Sequence, residues 1–234
     1  MIKNKQQNIE NMDSFIEIQE YVSRGGQKLE KALIYFDISP EGKVCIDCGA
    51  STGGFTDCLL KKGAKKVYAV DVGYGQLAWS LRSDQRVITM ERTNIRYVTP
   101  DMLDEKPELA VIDVSFISLA LVLPVIRKLM EETDEAVCTD KNYEAVCLIK
   151  PQFEAGKGKV GKKGVVRDPE THIEVLNAFI ENAEKSGFLI KGITYSPVKG
   201  PKGNIEYLGW LGSYGDSIKT DTKEIVLESH KKLT

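Results

Sequence analysis

Short apolar runs alternate with segments of helical period along most of the chain. Residues 44–48, 66–70, 86–90, 109–112 and 145–149 read as strands, and the first and last are apolar enough to be buried on both sides. Between them, Leu29, Ala32, Leu33 and Phe36 recur at helical spacing over 27–36. Further helices are expected over 55–60, stopped by Gly63, over 76–81, and over 117–129 with Leu121, Val125 and Leu129 on one face. Pro169 opens another, with Asp168 as its N-cap, running to Gly187. Residues 188–193 and 205–211 close the pattern as an antiparallel pair, with Glu206 inside the last strand. Strands alternating with helices predict an α/β fold, a doubly wound, mostly parallel Rossmann-like sheet with helices on both faces. The polar stretch before Tyr21 and the charged tail from Ser213 promise little structure, so one domain over 21–213 is expected between tails 1–20 and 214–234.

Composition narrows the class. With 42% hydrophobic and 28% charged residues in 234, the chain reads as an ordinary globular protein. No apolar run approaches the roughly 20 residues of a membrane span. The N-terminus lacks the apolar core of a signal peptide, so no membrane partner and a cytoplasmic location are expected. Five cysteines fall at 45, 48, 58, 138 and 147, and Cys45 and Cys48 form a C-x-x-C. No second C-x-x-C or C-x-x-H completes a zinc site, and the pair sits in an apolar strand, so no metal is expected. A net charge of −2 argues against a protein wrapped in nucleic acid. Charge is uneven, however: Lys150, Lys157, Lys159, Lys162, Lys163 and Arg167 face only Glu154 between 150 and 167, which suits either a solvated loop or guidance of a polyanion.

Ligands of such sheets bind outside the carboxyl ends of the strands. The first strand runs into Asp47-Cys48-Gly49-Ala50-Ser51-Thr52-Gly53-Gly54-Phe55, where Gly49, Gly53 and Gly54 allow close backbone approach. This is not the G-x-G-x-x-G of a dinucleotide site. Asp47 would repel a pyrophosphate but suits a ligand carrying an amino group and a sulfonium. Asp71 ends the second strand and can accept from both ribose hydroxyls of an adenosine cofactor; Asn94 can read an adenine edge; Asp113 ends the fourth strand in the same crevice. Gly49, Ser51, Gly53, Gly54 and Phe55 complete the candidate cofactor set.

Lys150 ends an apolar strand in Leu148-Ile149-Lys150-Pro151-Gln152-Phe153-Glu154. Lys28 opens the first helix and Glu206 sits in Gly203-Asn204-Ile205-Glu206-Tyr207. Taken alone, Lys28 and Glu206 read more readily as surface residues than as chemistry. Together with Tyr21-Val22-Ser23-Arg24-Gly25-Gly26-Gln27-Lys28-Leu29, Asp47–Phe55 and Asp113-Val114-Ser115-Phe116-Ile117-Ser118, these motifs resemble the TlyA (hemolysin A-like) family over about residues 21–212.

The resemblance implies a ribosomal RNA 2′-O-methyltransferase related to the FtsJ-like enzymes, with a seven-stranded sheet, S-adenosyl-L-methionine as cofactor and cytidine ribose in ribosomal RNA or its subunits as target. It also implies a K-D-K-E tetrad, filled here by Lys28, Asp113, Lys150 and Glu206. The tetrad makes chemical sense, because a ribose hydroxyl must lose its proton as it attacks. A free lysine is only about 0.04% neutral at pH 7; a neighbouring ammonium and burial raise that fraction, and carboxylates lower it. Lys150 is therefore expected as base or oxyanion stabiliser with Lys28 beside it, Asp113 orienting Lys150, and Glu206 holding Lys28 or the hydroxyl.

Members of that family usually carry an S4-like RNA-binding domain ahead of the Tyr-Val-Ser-Arg-Gly-Gly motif, whereas 20 residues precede Tyr21 here. Either the chain is a fragment or the module is lost, and the loop 157–167 with Arg24 and Lys202 would then be the remaining RNA-facing surface. Three rival readings stand beside this one: a non-catalytic RNA binder on the same scaffold, a pore-forming cytolysin suggested by the hemolysin label, and a methyltransferase for small-molecule hydroxyls. Oligomeric state is open.

Overall fold

The computed structural model describes residues 20–131 and 142–233, so residues 1–19 and Cys138 lie outside the described part. Seven strands form one sheet: β1 (Val44–Cys48), β2 (Lys66–Val70), β3 (Val87–Met90), β4 (Leu109–Ile112), β5 (Glu144–Ile149), β6 (Leu189–Tyr195) and β7 (Tyr207–Gly212). Their spatial order is β3-β2-β1-β4-β5-β7-β6. The first five pair in parallel, and β7 runs antiparallel to both β5 and β6.

Helices α1 (Gly25–Phe36), α2 (Gly54–Lys61) and α3 (Trp79–Arg82) precede β3, while α4 (Leu123–Met130), α5 (Pro151–Glu154), α6 (Pro169–Lys185) and α7 (Thr222–Leu233) follow β4. Strand residues alternate between two apolar layers, as the period of two requires. Cys45, Val67, Val111, Leu148 and Leu208 pack with Leu29 and Leu33 of α1 and Leu59 of α2. Ile46, Tyr68, Ile112, Cys147 and Tyr207 pack with Ile126 of α4, Leu176 and Phe179 of α6 and Val226 of α7. Burial on both faces explains why β1 and β5 read as mostly apolar runs, interrupted in β1 by Asp47 and opened in β5 by Glu144. It also places Cys45 and Cys48 in different layers as buried free thiols, so the C-x-x-C cannot close on one ion.

The elements differ from the expected ones where proline or a thin apolar signal intervenes. The helix expected over 117–129 begins only at Leu123, with a proline in its first turn; a 3₁₀ turn, Leu119–Leu121, precedes it and Leu121 is exposed. The helix expected over 76–81 shortens to α3. Glu206 lies one residue ahead of β7 rather than within it. The charged tail forms α7, anchored by buried Val226 and Ser229. Asp168 caps α6 through a side-chain bond from the Thr171 amide.

Candidate active site

Two adjoining cavities of 610 and 740 Å³ lie outside the carboxyl ends of β1, β4 and β5. Gly49, Ser51, Asp113, Ser115 and Phe116 line both, which makes them one crevice with two compartments.

The larger compartment is closed by Asp71 and Asn94. The carboxylate of Asp71 accepts the Ser51 amide at 2.8 Å and the Gly73 amide at 2.7 Å, which ties the β1 loop to the β2 loop. Each carboxylate oxygen keeps a further acceptor site. Asn94 caps a short turn by accepting the Arg96 amide at 3.1 Å. Ser51 holds a φ of 50°, an uncommon conformation for a non-glycine residue and one found at sites where the surroundings enforce it.

Two of the glycines also serve packing. A Cβ at Gly49 would lie 2.5 Å from the Asp113 carbonyl oxygen, and one at Gly53 would lie 2.2 Å from Leu81. These residues let β1 meet β4 and let the loop fold over α3, and Gly53 does not line either cavity. Gly54 and Phe55 line the smaller one.

Asp47 is fully buried behind the loop and outside the lining of both cavities. Its Oδ2 accepts from Thr56 Oγ1 at 2.7 Å, and its Oδ1 has no hydrogen-bond partner among the described residues. Burial raises its carboxyl to about 7 against an ordinary 3.8, only partly offset by Thr56. Between those values the folded chain holds a proton that the unfolded chain has lost, so this group makes stability fall as pH rises from about 4 to 7. Asp47→Asn should abolish a decline of about 3–4 kcal/mol over that span. Urea unfolding of both proteins at pH 4, 5.5 and 7 checks this; parallel curves would remove Asp47 from the pH dependence.

The smaller compartment gathers Lys28, Asp113, Lys150 and Glu206. They form two ion pairs: Lys28 Nζ to Glu206 Oε2 at 2.6 Å, and Lys150 Nζ to Asp113 Oδ1 at 2.5 Å. Lys150 also donates to Ser115 Oγ at 2.9 Å. Burial raises the Asp113 carboxyl, while the ammoniums of Lys150 and Lys28 pull it down and Glu206 pushes it up, so all four groups sense one another. The Glu206 side chain is 0% exposed and that of Lys28 9%, although each looked like a surface residue in sequence.

Several side chains at this site went unread in the sequence. Phe116 is 90% exposed with a φ of 64°, and its ring meets Phe153 at 4.8 Å. Glu154 accepts from Ser118 Oγ at 2.7 Å and from the Leu119 amide at 2.8 Å. Lys150, Phe153 and Glu154 thus hold the loop 113–119 at three successive points. Gln152 donates to Glu206 Oε1 at 2.9 Å. The only signal for them was membership in the two stretches already singled out for Asp113 and Lys150.

The basic loop ends beside this compartment. Val166 donates to Asn204 Oδ1, Asn204 donates back to Gly164, and His172 bonds the Val166 carbonyl. Lys199 and Lys202 line the cavity with Arg24, and Lys162, Lys163 and Arg167 are exposed on the loop. Around the larger compartment, which Arg96 lines, Arg92 lies over exposed Tyr74 at 4.2 Å and Arg96 over exposed Tyr97 at 5.4 Å.

Residues 21–213 match the family described as FtsJ-like methyltransferase. The chain belongs to that family. Among its relatives is the 16S/23S rRNA (cytidine-2′-O)-methyltransferase TlyA of Mycobacterium tuberculosis, 48% identical over 84% of this chain and 70% of that protein. Another is YqxC of Bacillus subtilis, provisionally named an rRNA methyltransferase, 52% identical over 91% of this chain and 75% of that one. A solved structure from Streptococcus thermophilus, provisionally named a hemolysin, superposes with a TM-score of 0.84 at 47% identity, covering 93% of this chain and 77% of that one. Solved methyltransferases of 15% identity or less still reach TM-scores of 0.52–0.57, which speaks for the fold alone. Among the described residues, no helix is long and apolar enough to cross a membrane, and no cluster of three or more His, Cys, Asp or Glu is placed to hold a metal.

Proposed function

We propose that this FtsJ-like methyltransferase uses S-adenosyl-L-methionine to methylate a ribose 2′-hydroxyl of ribosomal RNA, with cytidine as target. The observation that carries this reading is the meeting of two Lys–carboxylate pairs, one buried and one half-buried at its acid, in a compartment that shares a wall with the Gly49–Ser51 loop.

The residues fit the cofactor. A cavity of 740 Å³ is of small-ligand size, Asp71 keeps acceptor sites for hydroxyls, and Asn94 keeps its amide nitrogen for a ring edge. The cofactor supplies an activated methyl group. Lys150 takes the hydroxyl proton at Nζ after passing its own proton to Asp113, or as the ammonium it steadies the oxygen while the hydroxyl proton leaves to solvent. Asp113 and Ser115 aim that nitrogen. Glu206 fixes Lys28 as the second cation facing the oxygen. Phe116, exposed at the mouth and in contact with Phe153, offers a face on which an unstacked base can lie.

The basic and aromatic rim favours RNA over a small-molecule acceptor. Binding to a structured ribosomal RNA fragment should weaken steeply with salt, with a log–log slope of about −3 or steeper for several phosphate contacts. A slope near zero in filter binding between 50 and 200 mM salt would favour the small-molecule reading. The activity itself is tested by tritium transfer from labelled cofactor to unmodified ribosomal RNA followed by nuclease mapping. Label confined to a 2′-O-methylcytidine is expected; label in a base, or none in any RNA, overturns the proposal.

A further inference from the structure

The smaller compartment carries more positive charge than its tetrad uses. Five cations line it, Arg24, Lys28, Lys150, Lys199 and Lys202, against two carboxylates, Asp113 and Glu206. Both carboxylates are taken, by Lys150 and Lys28. Arg24, Lys199 and Lys202 form no ion pair with a carboxylate among the described residues. Like charges gathered in a concave site repel one another, and an anion offsets that cost.

These three side chains are seated against the tetrad. Arg24 directly precedes α1, in which Lys28 is the fourth residue. Lys199 and Lys202 belong to a tight turn: the Gly200 amide donates to the Asn204 carbonyl at 2.9 Å, and the Gly203 amide to the Gly200 carbonyl at 3.0 Å. A Cβ at Gly200 would lie 2.1 Å from Glu206 Oε1, so the turn rests directly on the tetrad. Lys202 holds a φ of 68°, a conformation that a lysine keeps only where its surroundings enforce it. Arg24 and Lys202 are exposed and Lys199 is half-buried, so solvent and substrate reach all three.

The covalent structure of RNA supplies the anion. From the reacting 2′-oxygen the chain runs through C2′, C3′ and O3′ alone to a phosphorus. Once the hydroxyl reaches Lys150, the 3′-phosphate is therefore held in the same compartment or at its mouth. The wall shared with the larger compartment, Gly49, Ser51, Asp113, Ser115 and Phe116, is the side of the methyl donor. An in-line displacement sets the ribose away from that donor. Arg24, Lys199 and Lys202 line the smaller compartment only, off the shared wall.

We infer that Arg24, Lys199 and Lys202 form a subsite for the 3′-phosphate of the target nucleotide. The substrate is then a ribose esterified at its 3′-oxygen, in preference to a free or 3′-terminal one. The Arg24 fork suits two phosphate oxygens at once, and each lysine adds a charge-assisted bond. The inference rests on the ribose-methylation reading proposed above.

A hairpin copying the segment mapped by tritium transfer is assembled from two pieces, nicked just after the target cytidine. The piece that carries the target ends in either a 3′-phosphate or a 3′-hydroxyl. For the wild type, kcat/KM for 2′-O-methylation is expected to be roughly 10- to 100-fold higher with the phosphate. With Arg24→Gln, Lys199→Gln and Lys202→Gln combined, the preference should fall below about threefold. Lys162→Gln with Lys163→Gln removes charge from the loop outside the compartment, slows both pieces alike and leaves the preference intact. A wild type indifferent to the phosphate, or a preference that survives in the triple variant, overturns the inference. So does a phosphate-ended piece that takes no label while the uncut hairpin does. The rival occupant is the carboxylate of the cofactor: a triple variant that loses cofactor affinity in calorimetry and slows both pieces alike also overturns the inference. Arg24→Gln alone, an exposed substitution, serves the same comparison if the triple variant does not fold. No transfer to the uncut hairpin by the wild type overturns the proposed function itself, a separate failure.

Discussion

Lys150→Ala is expected to slow methyl transfer by about 10²–10⁴-fold while cofactor affinity changes little. Lys150 is buried where β5 ends, its Nζ is aimed by Asp113 at 2.5 Å and Ser115 at 2.9 Å, and the larger compartment is lined without it. Truncation deletes the group that receives the proton or steadies the oxygen. It also removes the cation that pulls the Asp113 carboxyl down, leaving burial to raise that group further. Asp113 then takes a proton more readily, which limits the loss of stability. Single-turnover kinetics alongside cofactor calorimetry decide the matter. An unchanged single-turnover rate would take Lys150 out of the mechanism.

Glu206→Ala should cost stability as well as activity. It strands the Lys28 ammonium in a site where its side chain is 9% exposed, and breaking a buried pair from one side typically costs about 3–5 kcal/mol. In a chain of this size that lowers Tm by roughly 6–20 °C. Replacing both partners, as Lys28→Met with Glu206→Leu, removes the stranded charge and should recover much of the stability without any activity. Urea denaturation of the single and double variants separates the two effects. A single variant within about 1 kcal/mol of the wild type would mean the pair is solvated and weak.

The two predictions turn on residues that the sequence presents very differently. Lys150 was legible because an apolar run ends in a charge, a pattern that delivers a side chain to the rim of a parallel sheet. Lys28 and Glu206 were not, since each one's partner lies 178 residues away and each reads alone as an outward-facing charge; only the resemblance to a family connected them. The inner strands of the parallel half were read to within a residue because burial on both faces favours near-continuous apolar runs. α7 escaped because a helix laid on the rim of a sheet needs few apolar residues, here Val226 with partly buried Ile225 and Leu233, among many charges. Phe116 escaped for another reason: its importance lies in a positive φ and in exposure, neither of which is written in residue type. Asp47 is the converse case, an acid read as facing a ligand that instead sits sealed beneath the loop.

The direction of the seventh strand has a chemical consequence. Because β7 is antiparallel to β5, with Tyr207 opposite Ile149, the chain enters β7 where it leaves β5, and Glu206 arrives beside the residues that follow Ile149. Had β7 been threaded the other way, its entrance would sit at the opposite rim, about 20 Å off at 3.3 Å per residue. Lys28 would then face the crevice without the carboxylate that pairs with it. One reversal of polarity in the sheet is therefore what lets the two halves of the chain neutralise each other at a single point.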